Sequence, residues 1–528
     1  MQQNTPTRIF LFAALTLFAM GAAFQMFSME GNVLGNSFRL LTPLAIVLGL
    51  ATSRLPFYLL LAAGAYLDLI KRFMILDSRF TDTDLAFLLG FAPALVAGMV
   101  LRFIFAVLTK SNTVSAREVR LFSIITLLCC LLGGAQMIMG QGLRSAGNAV
   151  NMVAYLYMPL LVPRIFKSIP ELKRLLIIMT VIYIPAALWA IHQAYYGLEA
   201  FEMQYLLSGM TNEVRQLDEL VFRNMGTMVS AHAMSMVASI IAIAMIIPIV
   251  WKTGKISMSA WLNPIRLVCI WIFLTGAYFT FSRTGWACAI IALLAFVILQ
   301  SRFLTFTAYF ATIAGISALY LSADYLLKSK ITQETQEILF EKFGTTAEAR
   351  QSLVLGTLDA RLESMASFVN DSRIWTPFGL KLAKKDVQIN WIHDILTENL
   401  VRLGYVPLII LFLGILICSF LCFRALFRMP RGPDRTLATY FTALALGMMS
   451  GGFSQGIMIL YFPINFFWCL FLGASYTLYL IQKQTITGVK TDTAPLESTP
   501  TGLARLGRYQ AGGRQAVVQA GIQKVAQP

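Results

Sequence analysis

Long apolar stretches, each closed by a short polar one, repeat along most of this chain. A hydrocarbon core about 30 Å thick takes about 20 residues of helix, and shorter runs are accommodated by tilt or local thinning. By that measure the pattern predicts spans near 9–27, 39–53, 55–71, 84–108, 121–141, 147–163, 174–194, 228–250, 266–282, 284–300, 303–321, 402–424, 436–454 and 459–481. The expected fold is an all-α polytopic membrane protein with about fourteen transmembrane helices. The first span lacks a convincing small-x-small cleavage site and keeps the later alternation in phase, so it reads as retained rather than as a signal peptide. One large polar loop, 322–392, separates the eleventh and twelfth spans, and helix spacing recurs inside it at Arg361, Met365, Phe368 and Val369. The tail 482–528 is rich in Thr, Gly, Ala and Gln and reads as a disordered extension.

Composition agrees with this pattern. Of 528 residues, 57% are hydrophobic and 13% charged, with a mean hydropathy of +0.69. That balance excludes a cytosolic enzyme, a secreted disulfide scaffold and a disordered chain. The seven cysteines fall inside apolar runs and form no Cys/His cluster of metal-ligand spacing, so they read as packing residues and no metal is expected.

The net charge of +16 would suggest a nucleic-acid partner in a soluble protein. A polytopic chain instead concentrates Lys and Arg in its cytoplasmic loops, and the bases here follow alternate loops: Lys110, Arg117 and Arg120; Arg164, Lys167 and Lys173; Lys252, Lys255 and Arg266; then Arg424 through Arg435. No nucleic-acid partner is expected. Both termini are expected in the cytoplasm, with 195–227, the turn at 282–285 and the loop 322–392 on the outer face. Lys71 and Arg72 fall on the outer side in this scheme, against the rule.

An ionisable side chain in or at the end of a span costs about 2.5 to 3.5 kcal/mol on insertion scales, so each calls for a reason. Arg283 lies in Phe281-Ser282-Arg283-Thr284-Gly285-Trp286 between two spans with almost no loop. Arg223 immediately precedes the eighth span, whose first turns carry His232, and His393 enters the twelfth from the large loop. Arg223, Arg283 and His393 all reach the expected outer face. Two guanidiniums suit a diphosphate, which offers bidentate acceptors, and an imidazole is able to take a proton from a hydroxyl. His192 shares that face and reads as structural, while Asp68 and Arg102 lie within spans as each other's potential partners. There is no Walker loop, Gly-x-Ser-x-Gly elbow or dinucleotide fingerprint, and no Asp-x-Asp to hold a nucleotide-sugar through a metal.

These residues resemble the O-antigen ligase and O-antigen polymerase superfamily, bacterial membrane glycosyltransferases that use undecaprenyl-diphosphate-linked glycans. Ser282-Arg283-Thr284-Gly285 resembles the opening of the family's shared ligase domain. Arg361 followed by Trp375, Pro377, Phe378 and Gly379 is similar to a stretch of its large periplasmic loop, and His393 with Leu396 and Gly404 to the segment after that. Arg223, Gly226 and Thr227 resemble an upstream Arg-x-x-Gly-Thr motif. The likeness covers 222–425 and rests on hydropathy elsewhere, so the chain divides into N-terminal helices 1–221, a catalytic region 222–425, C-terminal helices 426–481 and the tail. Departures are Asp394 for Asn, Arg402 for Glu, and Ala231-His232 for Pro-Asn, and they bear on the contacts that support the site or on acceptor choice.

The resemblance implies a GT-C-like architecture in the bacterial inner membrane and a metal-independent, inverting transfer that needs no cofactor. Arg223 and Arg283 would hold the donor diphosphate and His393 would serve the acceptor hydroxyl. Arg361, Ser282 and His232 would line the substrate. The acceptor would be another glycan repeat, a lipid-A core or a protein, the extra spans leaning slightly to a polymerase. Polysaccharide export or chain-length proteins would be the partners. A flippase or other transporter is the alternative reading, disfavoured because the ionisable residues gather at one face and no repeated halves are visible.

Overall fold

The computed structural model describes residues 32–51, 53–77, 79–109, 114–138, 142–208, 224–250, 263–280, 282–300, 375–379, 400, 403–452 and 460–486. The first and eleventh expected spans and most of the loop 322–392 lie outside the described residues. Met1–Ile481 forms one compact unit, and Gln482–Pro528 a second, of which only the end of the last helix is described.

The helices are α1 (Val33–Leu50), α2 (Leu55–Ile75), α3 (Asp82–Leu108), α4 (Ala116–Ile138), α5 (Gly142–Ala154), α6 (Met158–Ile165), α7 (Ile169–Tyr196), α8 (Ala200–Leu207), α9 (Ala231–Val250), α10 (Pro264–Phe279), α11 (Arg283–Gln300), α12 (Tyr405–Arg428), α13 (Pro433–Ser450) and α14 (Ile464–Ile486). No strand occurs among the described residues. Eight of these helices are long and apolar enough to cross a membrane: α1, α3, α4, α7, α9, α11, α12 and α14. Large apolar side chains such as Leu108, Ile177, Trp271, Ile298 and Phe420 remain exposed on them or on their neighbours, as a lipid-facing surface requires. The described residues are all-helical, and their apolar helices mark a polytopic, membrane-embedded protein.

The early helices differ from their expected limits. The second and third spans, drawn as 39–53 and 55–71, extend to 33–50 and 55–75. Asn32 caps α1 by accepting from the amides of Leu34 and Gly35, which starts the helix before its apolar run begins. The sixth span is broken by a single 3-10 turn at Tyr155–Tyr157 before α6. Pro159 and Pro163 follow it, and proline supplies no amide hydrogen to an uninterrupted ladder.

Packing sets the orientation of the site. The sequence of α9 is apolar all round, and the helix is mostly buried, touching α10, α11 and α13. α2 and α7 run parallel: Arg54 at the start of α2 pairs with Glu171 in the first turn of α7, while near their other ends Arg72 and Gln193 meet the same residues. Asp68 and Arg102 do not pair with each other. Arg102 donates to the carbonyl of Ala51 at 2.7 Å and so closes the end of α1, and the charged neighbours of Asp68 are Lys71 and Arg72.

Candidate functional site

Residues 224–230, which lead into α9, are anchored from several directions. Asn224 donates to the carbonyl of Phe279 at 2.7 Å, tying it to the end of α10. Thr227 donates to the carbonyl of Ala65, within α2. Gly226 adopts φ of +57°, and a Cβ there would lie 2.9 Å from the carbonyl oxygen of Ala186, so both conformation and space require glycine. Its amide donates to Gln193 Oε1 at 2.8 Å, and its carbonyl accepts from Arg72 Nη1 at 2.8 Å. Ser230 accepts from the amide of Ala233 and caps α9.

Arg72 and Glu202 form the charged centre of this end. Arg72 Nη1 and Glu202 Oε1 are 2.7 Å apart, and the two side chains are only 1% and 0% exposed. Glu202 also accepts from Gln193 Nε2 at 2.7 Å and from Trp189 Nε1 at 3.2 Å, and Arg72 Nη2 donates to the carbonyl of Met228. Lys71 lies over the Tyr205 ring at 5.6 Å. The apparent breach of the loop-charge rule thus has a physical reason. The rule concerns bases in water-facing loops, whereas Arg72 is a buried residue within α2 and Lys71 packs on an aromatic face.

Beside this centre, the N-termini of α9 and α11 converge. His232 Nδ1 and Ser282 Oγ are 2.7 Å apart, and Ser235 Oγ donates to the carbonyl of Ser282 at 3.1 Å. The approach depends on Gly285, where a Cβ would stand 2.1 Å from Ser235 Oγ and 2.4 Å from its carbonyl oxygen. Gly285→Ala is therefore expected to cost about 1–3 kcal/mol through overpacking, seen as a lower thermal midpoint in detergent. An unchanged midpoint would mean that the crossing has room to spare.

The turn into α11 sorts its side chains sharply: Ser282, Thr284, Gly285 and Trp286 are buried and Arg283 is exposed. Two helix N-termini with their positive dipole ends, together with a permanently charged guanidinium, make this place attractive to an anion. The His232–Ser282 contact adds a switchable donor. With the hydroxyl donating, the neutral imidazole carries its proton on Nε2; in the other tautomer Nδ1–H donates to the hydroxyl oxygen and Nε2 is left as an acceptor.

Of the expected site residues, the structure brings His232 and Ser282 into contact, with Arg283 next in the chain. Arg223, Arg361 and His393 lie outside the described residues, although Asn224, Gly226 and Thr227 beside Arg223 are the anchored segment. His192 stacks on Trp189 with ring centroids 5.1 Å apart, in keeping with a structural part.

The described piece of the large loop, 375–379, meets the start of α12. Tyr405 and Val406 donate their amides to the carbonyls of Thr376 and Pro377 at 3.0 and 3.1 Å, satisfying first-turn donors that a helix leaves unpaired. Gly404 makes this possible, with φ of +84° and space for no Cβ beside Phe378 and Gly379. Two sequence motifs 25 residues apart, at Gly379 and Gly404, are one physical junction.

Sequence reasoning missed Arg72, Glu202 and Gln193. The available signal was Glu202 within the largely apolar octet Ala200–Leu207 and Arg72 one helical turn beyond Asp68, each an ionisable residue that needs a partner.

Comparisons with protein-family models, with curated proteins and with solved structures find no match to this chain.

Proposed function

We propose that the protein is a glycosyltransferase of the bacterial inner membrane that moves a glycan from an undecaprenyl-diphosphate carrier to an acceptor hydroxyl at the periplasmic face. The supporting observation is the convergence of two helix N-termini at the His232–Ser282 contact, with Arg283 exposed beside it. In this reading Arg283 and Arg223 hold the diphosphate and stabilise the charge that grows on it as the sugar leaves, without a metal or other cofactor. His393 takes the proton of the acceptor hydroxyl, Arg361 contacts phosphate or glycan from the large loop, and Ser282 and His232 complete the donor side. Polymerisation of glycan repeats fits slightly better than ligation to a lipid-A core.

Both termini are cytoplasmic in this scheme, and 322–392 faces the periplasm. A cysteine introduced at Ser352 should then react with an impermeant maleimide in intact spheroplasts, whereas labelling only after lysis would put the site on the wrong face. The decisive experiment gives purified protein an undecaprenyl-diphosphate-linked repeat and follows glycan length. Growth of the glycan, or its appearance on a lipid-A core, is the expected result. Movement of the intact carrier across proteoliposomes without glycosidic bond formation would make the protein a flippase.

A further inference from the structure

We propose that Arg72 and Glu202 are positioning residues that hold 224–228, and through it the turn carrying Arg283, in the geometry that transfer needs. The proposal rests on the glycosyltransferase reading above.

The ion pair is buried to 1% and 0% exposure, where two charges gain little over a well-packed apolar pair. Stability alone is therefore a weak reason for it. What the guanidinium supplies is directional: Nη1 reaches both Glu202 and the carbonyl of Gly226, and Nη2 the carbonyl of Met228. A planar fork does this with one side chain, which a lysine ammonium does not. Glu202 fixes the fork from behind and holds Gln193, whose amide oxygen takes the Gly226 amide. An irregular stretch at the end of a membrane bundle thereby has its Gly226 amide and its Gly226 and Met228 carbonyls satisfied from α2 and α7.

The held segment reaches the anion-binding end by two routes. Asn224 donates to Phe279, one residue before Thr280, and Thr280 Oγ1 accepts from the amide of Ser282, which precedes Arg283. In the other direction the segment runs through Ser230, the cap of α9, to His232. Both partners of the His232–Ser282 contact thus have their backbone referred to the Arg72–Glu202 pair.

The test separates holding from folding. Arg72→Met or Glu202→Gln alone disturbs a buried pair and is expected to lower thermal stability. The double variant Arg72→Met/Glu202→Met removes both charges and should recover most of that stability. It should nevertheless show faster amide hydrogen exchange over 224–228, and at least a tenfold lower kcat for glycan transfer with a smaller change in acceptor KM. Recovery of transfer together with stability would reduce the pair to a folding element and overturn the proposal. Exchange over 224–228 as slow as in the wild type would overturn it equally. Gln193→Met, which leaves the ion pair intact, provides the second variant: exchange at Gly226 should rise and kcat should fall, and no change in either counts against the clamp. If the wild-type protein transfers no glycan, the functional reading fails while the exchange measurements still decide whether the pair holds the segment.

Discussion

Arg283→Lys is expected to lose about 10- to 100-fold in glycan transfer although the charge is kept. A guanidinium offers a fixed fork to two oxygens of a diphosphate, and a charge-assisted hydrogen bond of that kind contributes about 1.5–3 kcal/mol. An ammonium keeps the point charge but loses the second parallel bond. The position also matters. Arg283 is exposed at the first residue of α11, whereas the buried Ser282 before it holds the turn against α9 through His232 and Ser235. Replacing it should leave folding intact, so the loss should appear in kcat/KM at an unchanged thermal midpoint. An arginine that merely snorkels to the interface would tolerate lysine, and full activity of the variant would remove Arg283 from the donor site.

The same substitution at Arg223 should act in the same direction. Full activity there would leave Arg283 alone with the diphosphate and demand another cation beside it.

The helical architecture was legible because apolar runs of span length have few other uses. What the runs did not reveal was where a span begins or breaks. The limits of α1 depend on the Asn32 cap, and the interruption between α5 and α6 coincides with Pro159 and Pro163 inside an otherwise apolar stretch. The candidate site was partly legible too. Arg283, Ser282 and His232 stood out as polar groups at span ends, but their contact depends on Gly285 and Ser235 letting two helices approach, a tertiary fact. The Arg72–Glu202 pair was hidden for a related reason. The two residues are 130 positions apart, and a positive-inside tally counts Arg72 as a loop charge until its burial is known. Asp68 and Arg102 show the converse: two lone charges in spans suggest a pair, but the arginine closes the helix-end carbonyl of Ala51 instead.

The largest single effect should come from His393→Ala, which is expected to reduce glycan transfer by about 10² to 10⁴, the usual cost of losing a general base. The reasoning turns on a division of labour. In the proposed reading the converging helix N-termini and Arg283 offer positive charge and hydrogen-bond donors to the leaving diphosphate, and a separate group takes the proton of the acceptor. His232 has Nδ1 in contact with Ser282 Oγ, and the proposed reading assigns it to the donor. The same reading assigns the acceptor to His393, which follows the large loop in the sequence. His393→Ala should therefore keep normal abundance and normal binding of the lipid-linked donor while transfer collapses. His232→Ala should do the reverse in kind, weakening donor binding more than the chemical step. If the two variants exchange these behaviours, the acceptor base is His232 and the hydroxyl approaches from between α9 and α11. If neither variant lowers kcat, deprotonation of the acceptor is not assisted by an imidazole and the transfer step must be carried by the arginines alone.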